Sequence, residues 1–283
     1  MVKTRFAPSP TGHLHLGHAY AALVAARLGD GYLLRIDDID HTRCRPAFTD
    51  QIFDDLQWLG LQWHGPVIYQ SQRLDAYDAA LATLRAADLV YPCYLSRAEL
   101  GDFLSAPHAN NASAPAPRTY NALSQQETDQ RIAAGMQPAW RLHADKAIDY
   151  LAAAGTKPQW LDAASGNHID ASLTAFGDVV LGRKDIGTSY HLSVVIDDAM
   201  DQVSLVTRGD DLRDSTHVHA ILQALLDLPS PAYLHHPLVN DAAGNRLAKR
   251  DNARSIVSLR EDGISAQEII DSLPDIPALP ISR

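Results

Sequence analysis

The sequence contains very few cysteines: Cys44 and Cys93 are the only two in 283 residues. They do not form a C-x-x-C pair, so the chain can build neither a disulfide framework nor a cysteine-rich zinc module. The longest apolar run, residues 19–26, is far shorter than the roughly 20 residues of a membrane span, and no signal-peptide core is present. We therefore expect a cytoplasmic protein with no membrane contact and no structural zinc.

Basic residues are also scarce, because 24 Lys and Arg stand against 34 Asp and Glu and give a formal net charge of −10. This balance argues against a protein that coats nucleic acid through bulk charge, but it leaves room for a local basic patch. Apolar residues make up 46% of the chain, which is ordinary for a globular protein with a core.

Strand-like and helix-like segments alternate along the chain. We predict strands at residues 5–7, 31–36, 192–196, 203–207 and 234–239, and helices at 18–28, from a Thr49 cap to 59, at 72–87 and at 215–226. This order is typical of an α/β protein with a Rossmann-like parallel sheet. Residues 89–188 have a more irregular pattern. We therefore expect a catalytic domain of residues 1–88 and 189–283, interrupted by an inserted α/β lobe of residues 89–188.

The loop after the first predicted strand carries the strongest chemical signal. Gly12 and Gly17 have the spacing of a phosphate loop, but His18 and Ala19 follow where a Walker A motif needs Lys and Ser or Thr. What remains is His15-x-Gly17-His18 at a strand-to-helix turn, where backbone amides and imidazoles can donate to phosphate. The motif predicts a nucleotide site; the alternative is a pair of surface histidines.

An acidic run, Asp37-Asp38-Ile39-Asp40, follows the second predicted strand. Ligands bind at the carboxyl ends of parallel strands, so the run predicts a wall of a substrate pocket. The alternatives are a solvated strand end and a magnesium-binding acidic cluster.

The segment Arg5 to His18 resembles, nearly residue for residue, the opening of the glutamyl and glutaminyl branch of class I aminoacyl-tRNA synthetases. The resemblance extends to about Ala253 and implies a ligase that uses ATP, with Mg²⁺ accompanying the nucleotide. At Arg246-Leu247-Ala248-Lys249-Arg250 the chain resembles the second family loop, KMSKS, but has Arg246 and Ala248 where the family has Lys and Ser.

Site residues follow from this resemblance position by position. It implies that the catalytic residues are His15, His18 and Lys249, and that ATP is bound by Thr11, Gly17, His18, Leu247 and Lys249. It implies that the amino acid is bound by Arg5, Ala7, Ser9, Asp37, Tyr190 and Arg208. Two arginines favour glutamate over glutamine, because a guanidinium forks onto a carboxylate. Asp37 stands where the family has Glu, and Val194 stands where it often has Asn.

Few residues follow Arg250, and we expect no anticodon-binding domain. The chain thus looks like the stand-alone catalytic members of the family. It implies a monomer that activates L-glutamate and transfers it to queuosine at the wobble position of tRNA(Asp), with RNA contacts in the inserted, acceptor-domain-like lobe. Many such proteins hold zinc there through a C-x-C pair, and Cys93-Tyr94-Leu95 keeps one cysteine. The alternatives are a minimal glutamyl-tRNA synthetase, another HxGH adenylate-forming enzyme and a non-catalytic RNA-binding paralog.

Overall fold

A computed structural model describes residues 1–105, 118–239 and 254–279. The strands are β1 Thr4–Phe6, β2 Tyr32–Ile36, β3 Ile68–Tyr69, β4 Val90–Cys93, β5 Ala139–Leu142, β6 Gln159–Asp162, β7 Asn167–Asp170, β8 Val180–Gly182, β9 Leu205–Gly209 and β10 Ala232–His236. The helices are α1 Leu16–Leu28, α2 Pro46–Trp58, α3 Leu74–Ala86, α4 Arg97–Ser105, α5 Gln125–Ala133, α6 Ala144–Ala153, α7 Tyr190–Met200, α8 Ser215–Leu225, α9 Ile256–Glu261 and α10 Ala266–Asp271.

Parallel strands form the centre of the fold. β1 pairs with β2 and β2 with β3, all parallel, while β10 lies parallel between β6 and β9. The two groups of strands meet just before β1 and β9, where the carbonyl of Lys3 accepts hydrogen bonds from the amides of Ser204 and Leu205 at 3.0 and 3.2 Å. The prediction of an α/β protein with parallel strands is confirmed, and the carboxyl ends of β1, β2 and β9 lie close together.

The stretch expected to form the inserted lobe is divided between two sheets. β4, β5 and β8 form an antiparallel sheet of their own, but β6 pairs with β10 and carries β7 on its outer edge. Residues 159–170 therefore extend the sheet of β9 and β10, and sheet pairing does not follow the expected boundaries at 89 and 188. The two parts also share a core, in which Leu142 and Leu181 pack in one cluster with Leu192 and Ile221.

Two predicted elements were wrong. Residues 192–196 lie in helix α7, not in a strand, because all seven residues from Leu192 to Asp198 are buried and leave no helical alternation in the sequence. Helix α2 begins at Pro46 and not at a Thr49 cap, since proline suits the first turn of a helix, where its missing N–H costs no bond. The capping boxes at Ser96 and Ser124 are confirmed by reciprocal hydrogen bonds to Glu99 and Glu127.

Helix α1 owes its position to small side chains. Ala19, Ala22 and Ala25 are buried, so the helix lies close to β1, and the Thr4 hydroxyl donates to the carbonyl of Ala25 at 2.7 Å. The helix ends at Gly29. This packing fixes the loop between β1 and α1. Of the described helices, none is both long and apolar enough to cross a membrane.

Candidate active site

A pocket of about 280 Å³ opens where β1, β2 and β9 end. We call it the central pocket. It is lined by Arg5, Phe6, Ala7, Pro8, Ser9, His18, Ala21, Arg35, Asp37, Tyr190, Val194, Thr207, Arg208, Gly209 and Leu212. All six residues expected to bind the amino acid are in this set, together with His18. The structure thus brings together these residues from β1, α1, α7 and β9 and from the loops after β1 and β2, while their individual roles stay predictions.

The two motif histidines lie at the start of α1. His15 is the N-cap, and its Nδ1 accepts the Gly17 amide at 3.1 Å, while Nδ1 of His18 accepts the His15 amide at 3.2 Å. The ring centroids are 3.8 Å apart. Because both Nδ1 atoms accept backbone N–H groups, each neutral ring carries its proton on Nε2. The motif thereby orients two N–H donors at a helix N-terminus.

Gly17 is needed for this arrangement. A Cβ at this position would lie 3.0 Å from Cε1 and 3.2 Å from Nδ1 of His15. A side chain there would push against the ring that caps the helix. Thr11 lies in the loop before α1, where its amide donates to the carbonyl of Ser9 at 2.8 Å.

The second loop, with Leu247 and Lys249, lies outside the described residues. The chain described after it is attached directly to the histidine motif: Ser255 forms a β-bridge with His15, and the Ile256 amide donates to the carbonyl of Leu14 at 2.8 Å. Six residues span at most about 20 Å. Lys249 is therefore connected to the motif by a short length of chain.

One side of the central pocket is an ion-pair cluster, which we define as Arg5, Arg35, Asp37, Asp197 and Asp198. Oδ1 of Asp198 accepts from Arg5 Nε at 3.0 Å and from Arg35 Nη1 at 2.7 Å, and Oδ1 of Asp37 accepts from Arg35 Nε at 2.8 Å. Arg35 is fully buried, and Asp198 is 5% exposed. The cluster fixes the orientation of Asp37 and Arg5 at the pocket wall.

A second layer supports this cluster from behind. Asp197 is completely buried and accepts hydrogen bonds from Gln70 at 2.7 Å, from Arg73 at 3.0 Å and from Tyr77 at 2.8 Å. Arg73 also pairs with Asp201 at 2.6 Å. Helix α7 is thereby joined to α3 and to the turn before it, which holds Asp198 in place.

Burial and neighbouring charges shift the pKa values of Asp37 and Asp198 in opposite directions. Burial raises the pKa of Asp37 to about 6, although the Arg35 guanidinium opposes the rise. Burial acts in the same sense on Asp198, but Arg5 and Arg35 together hold its pKa below the usual value. Asp198 is thus a permanent counter-ion, whereas Asp37 can change its charge near neutral pH.

Arg208 lies on the other side of the pocket and is held differently. Its guanidinium donates to Nδ1 of His219 at 3.0 Å, to the Thr216 hydroxyl at 2.6 Å and, more weakly, to Nε2 of His235 at 3.4 Å. Tyr190 is 3.4 Å away. Among the described residues no carboxylate forms an ion pair with this guanidinium.

The acidic run after β2 does not act as one unit. Asp37 faces the central pocket, Asp38 accepts from the amide and hydroxyl of Ser71 at 2.8 and 2.7 Å, and Asp40 accepts from Thr42 at 2.6 Å. The Thr42 hydroxyl and Arg43 lower the pKa of Asp40 to about 2. Each carboxylate has its own partner, which does not fit the alternative of a shared magnesium site.

Cys93 is buried and Cys44 is partly buried, and both are free thiols. Near Cys93, the Arg131 guanidinium bonds the carbonyl of Tyr94 at 3.0 Å and both carboxylate oxygens of Glu99. Within the described ranges, no three His, Cys, Asp or Glu side chains are grouped to hold a metal ion. That the protein holds no structural zinc stays a prediction.

Sequence reasoning missed the residues that support the pocket from a distance. Asp197 and Asp198 directly follow residues 192–196, which were interpreted as a strand, and Thr216, His219 and His235 come from two further elements. The doubled aspartate after an apolar run was the one signal available, since buried acids need partners. Nothing in the sequence pairs it with Arg5 or Arg35.

Comparisons with known proteins find relatives along nearly the whole chain. A family model described as tRNA synthetases class I (E and Q), catalytic domain, matches residues 1–274. A protein named Glutamyl-Q tRNA(Asp) synthetase from Rhodobacter capsulatus is 46% identical over 274 residues, which cover 94% of this chain and 97% of that protein. Another protein of that name, from Nocardia farcinica, is 41% identical and is covered over 85% of its length.

Among solved structures, a glutamate tRNA ligase from Elizabethkingia meningosepticum in complex with its amino acid matches 98% of this chain with a TM-score of 0.70. The identity is 22%, so this likeness concerns the fold alone. The chain spans about two thirds of that ligase, 65% of its length.

Proposed function

The chain belongs to the family of class I tRNA synthetase catalytic domains for glutamate and glutamine, and we propose that it activates L-glutamate with ATP and transfers the glutamyl group to queuosine at the wobble position of tRNA(Asp). The observation that carries the proposal is the charge arrangement of the central pocket. Asp37 offers a carboxylate to an α-ammonium group, and Arg208 offers a guanidinium that no described carboxylate neutralises. The names of the relatives, matched over nearly their whole length, support the same substrates.

In the first step, an oxygen of the glutamate α-carboxylate attacks the α-phosphorus of ATP and pyrophosphate leaves. The attacking group is already an anion, so the step needs no general base. What it needs is donors placed where charge develops. The Nε2–H groups of His15 and His18 and the backbone amides at the start of α1 supply such donors, with Thr11 and Gly17 shaping the loop. Lys249 and Leu247 complete the nucleotide site in this proposal.

In the second step, a hydroxyl of the queuosine cyclopentene attacks the carbonyl carbon of the glutamyl-adenylate. The hydroxyl loses its proton, a new ester bond forms and AMP leaves. Such a hydroxyl is chemically equivalent to the ribose hydroxyl of ordinary aminoacylation. Unpaired bases of an anticodon loop are also the accessible part of an RNA.

Magnesium enters the proposal with the nucleotide, as Mg·ATP. Asp37 is bound to Arg35 and Asp40 to Thr42, and no three His, Cys, Asp or Glu side chains among the described residues are grouped for a cation. The triphosphate therefore supplies the ligands for Mg²⁺ in this proposal, as is common for phosphate-bound magnesium.

The proposal also places the enzyme in the cytoplasm as a monomer, and assigns RNA contacts to the lobe around β4, β5 and β8. Two arginines of this lobe form ion pairs: Arg183 lies 3.5 Å from Asp40 in the loop after β2, and Arg97 lies 3.6 Å from Asp185 within the lobe itself. In the proposal such arginines contact RNA phosphates, and contacts between arginine and phosphate weaken as salt rises. Transfer should therefore decline with ionic strength although the chain is acidic overall.

Glutamate-dependent exchange of pyrophosphate into ATP, measured without tRNA, tests the first step. We expect exchange with glutamate and little with glutamine. Labelled glutamate should then appear on tRNA(Asp) that carries queuosine and not on the same tRNA without it. Label on the 3′ adenosine of tRNA(Glu) would identify a minimal glutamyl-tRNA synthetase. Adenylate passed to a small molecule or protein would indicate another adenylate-forming enzyme, and no adenylate would indicate a non-catalytic paralog.

A further inference from the structure

Arg208 is buried in a cage of neutral hydrogen-bond acceptors. We define the histidine cage as Thr216, His219 and His235, which come from α8 and β10. Arg208 is 5% exposed, and the three cage residues are between 0% and 6% exposed. No other arginine on the central pocket has such surroundings, because Arg5 and Arg35 are both paired with carboxylates.

The hydrogen bonds of the cage have a fixed direction. A guanidinium can only donate, so Nδ1 of His219 accepts and the His219 proton lies on Nε2. That proton is donated onward to Nδ1 of His191 at 3.2 Å. Nε2 of His235 accepts from Arg208 and from the Thr216 hydroxyl, at 3.4 and 2.9 Å. Every bond therefore runs outward from the guanidinium.

Protonation of a cage histidine would place two donors against each other. Burial and the Arg208 charge both disfavour it, and they lower the pKa of His235 to about 3 and that of His219 well below its usual value. The cage consequently adds no negative charge and no further positive charge around Arg208. In addition, Nδ1 of His235 has no hydrogen-bond partner among the residues that the structure describes. A network optimised for stability alone would satisfy this buried group.

We propose that His219, Thr216 and His235 are positioning residues that aim the Arg208 guanidinium through neutral acceptors and so leave its whole charge for the side-chain carboxylate of glutamate. This inference rests on the proposed function, because it assumes that glutamate is the amino acid. It explains how an arginine can be fixed as firmly as Arg5 without an internal carboxylate that would compete with the substrate. Selection of glutamate over glutamine then depends on residues that do not touch the substrate.

A carboxylate introduced into the cage tests the proposal directly. His219→Asp should pair with Arg208 and raise the KM for glutamate in pyrophosphate exchange at least tenfold, with a smaller change in kcat. His219→Asn keeps an acceptor near the position of Nδ1 and should stay within about threefold of wild type. The matched control is His217→Asp, on the same helix, where the side chain contacts Ser172 and Trp160 instead of Arg208. It should also stay within threefold.

Stability separates the proposed role from a purely structural one. The new ion pair in His219→Asp should keep the melting temperature at or above that of His219→Asn, so loss of glutamate binding would occur in a folded protein. If folded His219→Asp keeps the wild-type KM for glutamate, the proposal is overturned. The same conclusion follows if His219→Asn and His219→Asp raise the KM equally.

Imidazole nitrogen chemical shifts of the wild-type protein give a readout that needs neither glutamate nor a variant. Between pH 6 and 8 we expect the His219 proton on Nε2 and the His235 proton on Nδ1. The charged and titratable groups that act on these rings are Arg5, Asp162, His191, Arg208, Asp210 and Arg213. Titration near pH 6.5, or the opposite tautomers, would contradict the cage. Wild-type protein with these tautomers but without glutamate-dependent exchange would instead contradict the proposed function.

Discussion

Two arginines line the same pocket and are held in opposite ways. Arg5 shares the carboxylate of Asp198 with Arg35, within a cluster of buried ions. Arg208 is held by a hydroxyl and two imidazoles, without an ion pair to any described carboxylate. The first arginine is neutralised by the protein, and the second keeps its charge. The difference indicates that the Arg5 side of the pocket has a structural role, whereas the Arg208 side is available to bind an anionic group of a ligand.

The two sides also differ in how the free-energy cost of burying their charged groups is compensated. A buried charge is tolerated when a partner and hydrogen bonds compensate it, and removal of one partner is strongly destabilising. The ion-pair cluster meets this condition by itself. Arg208 meets it with neutral dipoles alone, so a substrate carboxylate would supply the missing counter-charge. The predictions below therefore test the stability of the ion-pair cluster, the pH response of Asp37 at its edge and the neutral state of the histidines near Arg208.

The largest effect is expected from Asp198→Asn, which leaves Arg5 and Arg35 without their shared counter-ion. We expect the free energy of unfolding to fall by about 3 to 5 kcal/mol, as measured by urea denaturation. The matched control is Asp185→Asn, because Asp185 also contacts two arginines but lies at the surface. That change should cost about 1 kcal/mol or less. Equal losses in both variants would show that the ion-pair cluster is no more than a set of surface pairs.

A second prediction concerns the reaction at the α-phosphate of ATP, in which we expect neither Arg5 nor Arg208 to take part. His18→Ala removes an oriented donor and should lower kcat for pyrophosphate exchange on the order of 10²-fold, about 2.7 kcal/mol, with little change in the KM for glutamate. His13→Ala is the control, since His13 lies in the same loop and packs edge-on against Phe48. A loss below about threefold for His18→Ala, or a change mainly in KM, would contradict the assignment.

The contiguous parts of the site were predictable from the sequence. His15, Gly17 and His18 follow one another in the loop, and Asp37 ends a strand whose burial is nearly continuous. Local chemistry and the placement of parallel strands were enough for both. The structure brings His18 and Asp37 together with Arg5, Tyr190 and Arg208 around the central pocket, while their roles stay predictions.

The distributed parts were not predictable. Asp198 and the histidine cage depend on which helices pack against which strands, and no local pattern encodes that pairing. Helix α7 is buried on nearly all sides around Leu192 and Asp198, so its sequence has the apolar run of a strand. The loop that contains Lys249 is outside the described residues, so its expected role in binding ATP stays a prediction.

The third prediction uses the pH response of Asp37. Its pKa is raised to about 6 by burial, so the carboxylate that would hold the α-ammonium becomes protonated below that pH. The KM for glutamate should therefore rise about tenfold between pH 7 and pH 5. Steady-state exchange assays across this range measure it. In Asp37→Asn the KM should be high and nearly independent of pH, and a parallel rise in that variant would assign the effect to another group.

The smallest effect is expected at His191, which accepts a hydrogen bond from His219 of the histidine cage. Burial and Arg208 lower the pKa of His191 to about 4, whereas the unfolded chain binds a proton there near pH 6.5. Between these values the unfolded state holds the extra proton, so stability from this group is complete at high pH and is lost as the pH falls. Asp37 has the opposite sign, since its raised pKa makes the folded state hold the proton, and a wild-type curve alone would mix the two.

Comparison of wild type with His191→Asn cancels the contribution of Asp37. Between pH 7 and pH 5.5 the wild type should lose about 1 kcal/mol more unfolding free energy than the variant, as measured by urea titrations at matched ionic strength. Above pH 7.5 the difference between the two proteins should be constant. Parallel curves throughout would mean that His191 is not kept neutral by its surroundings. The network of neutral histidines around Arg208 would then extend no farther than His219.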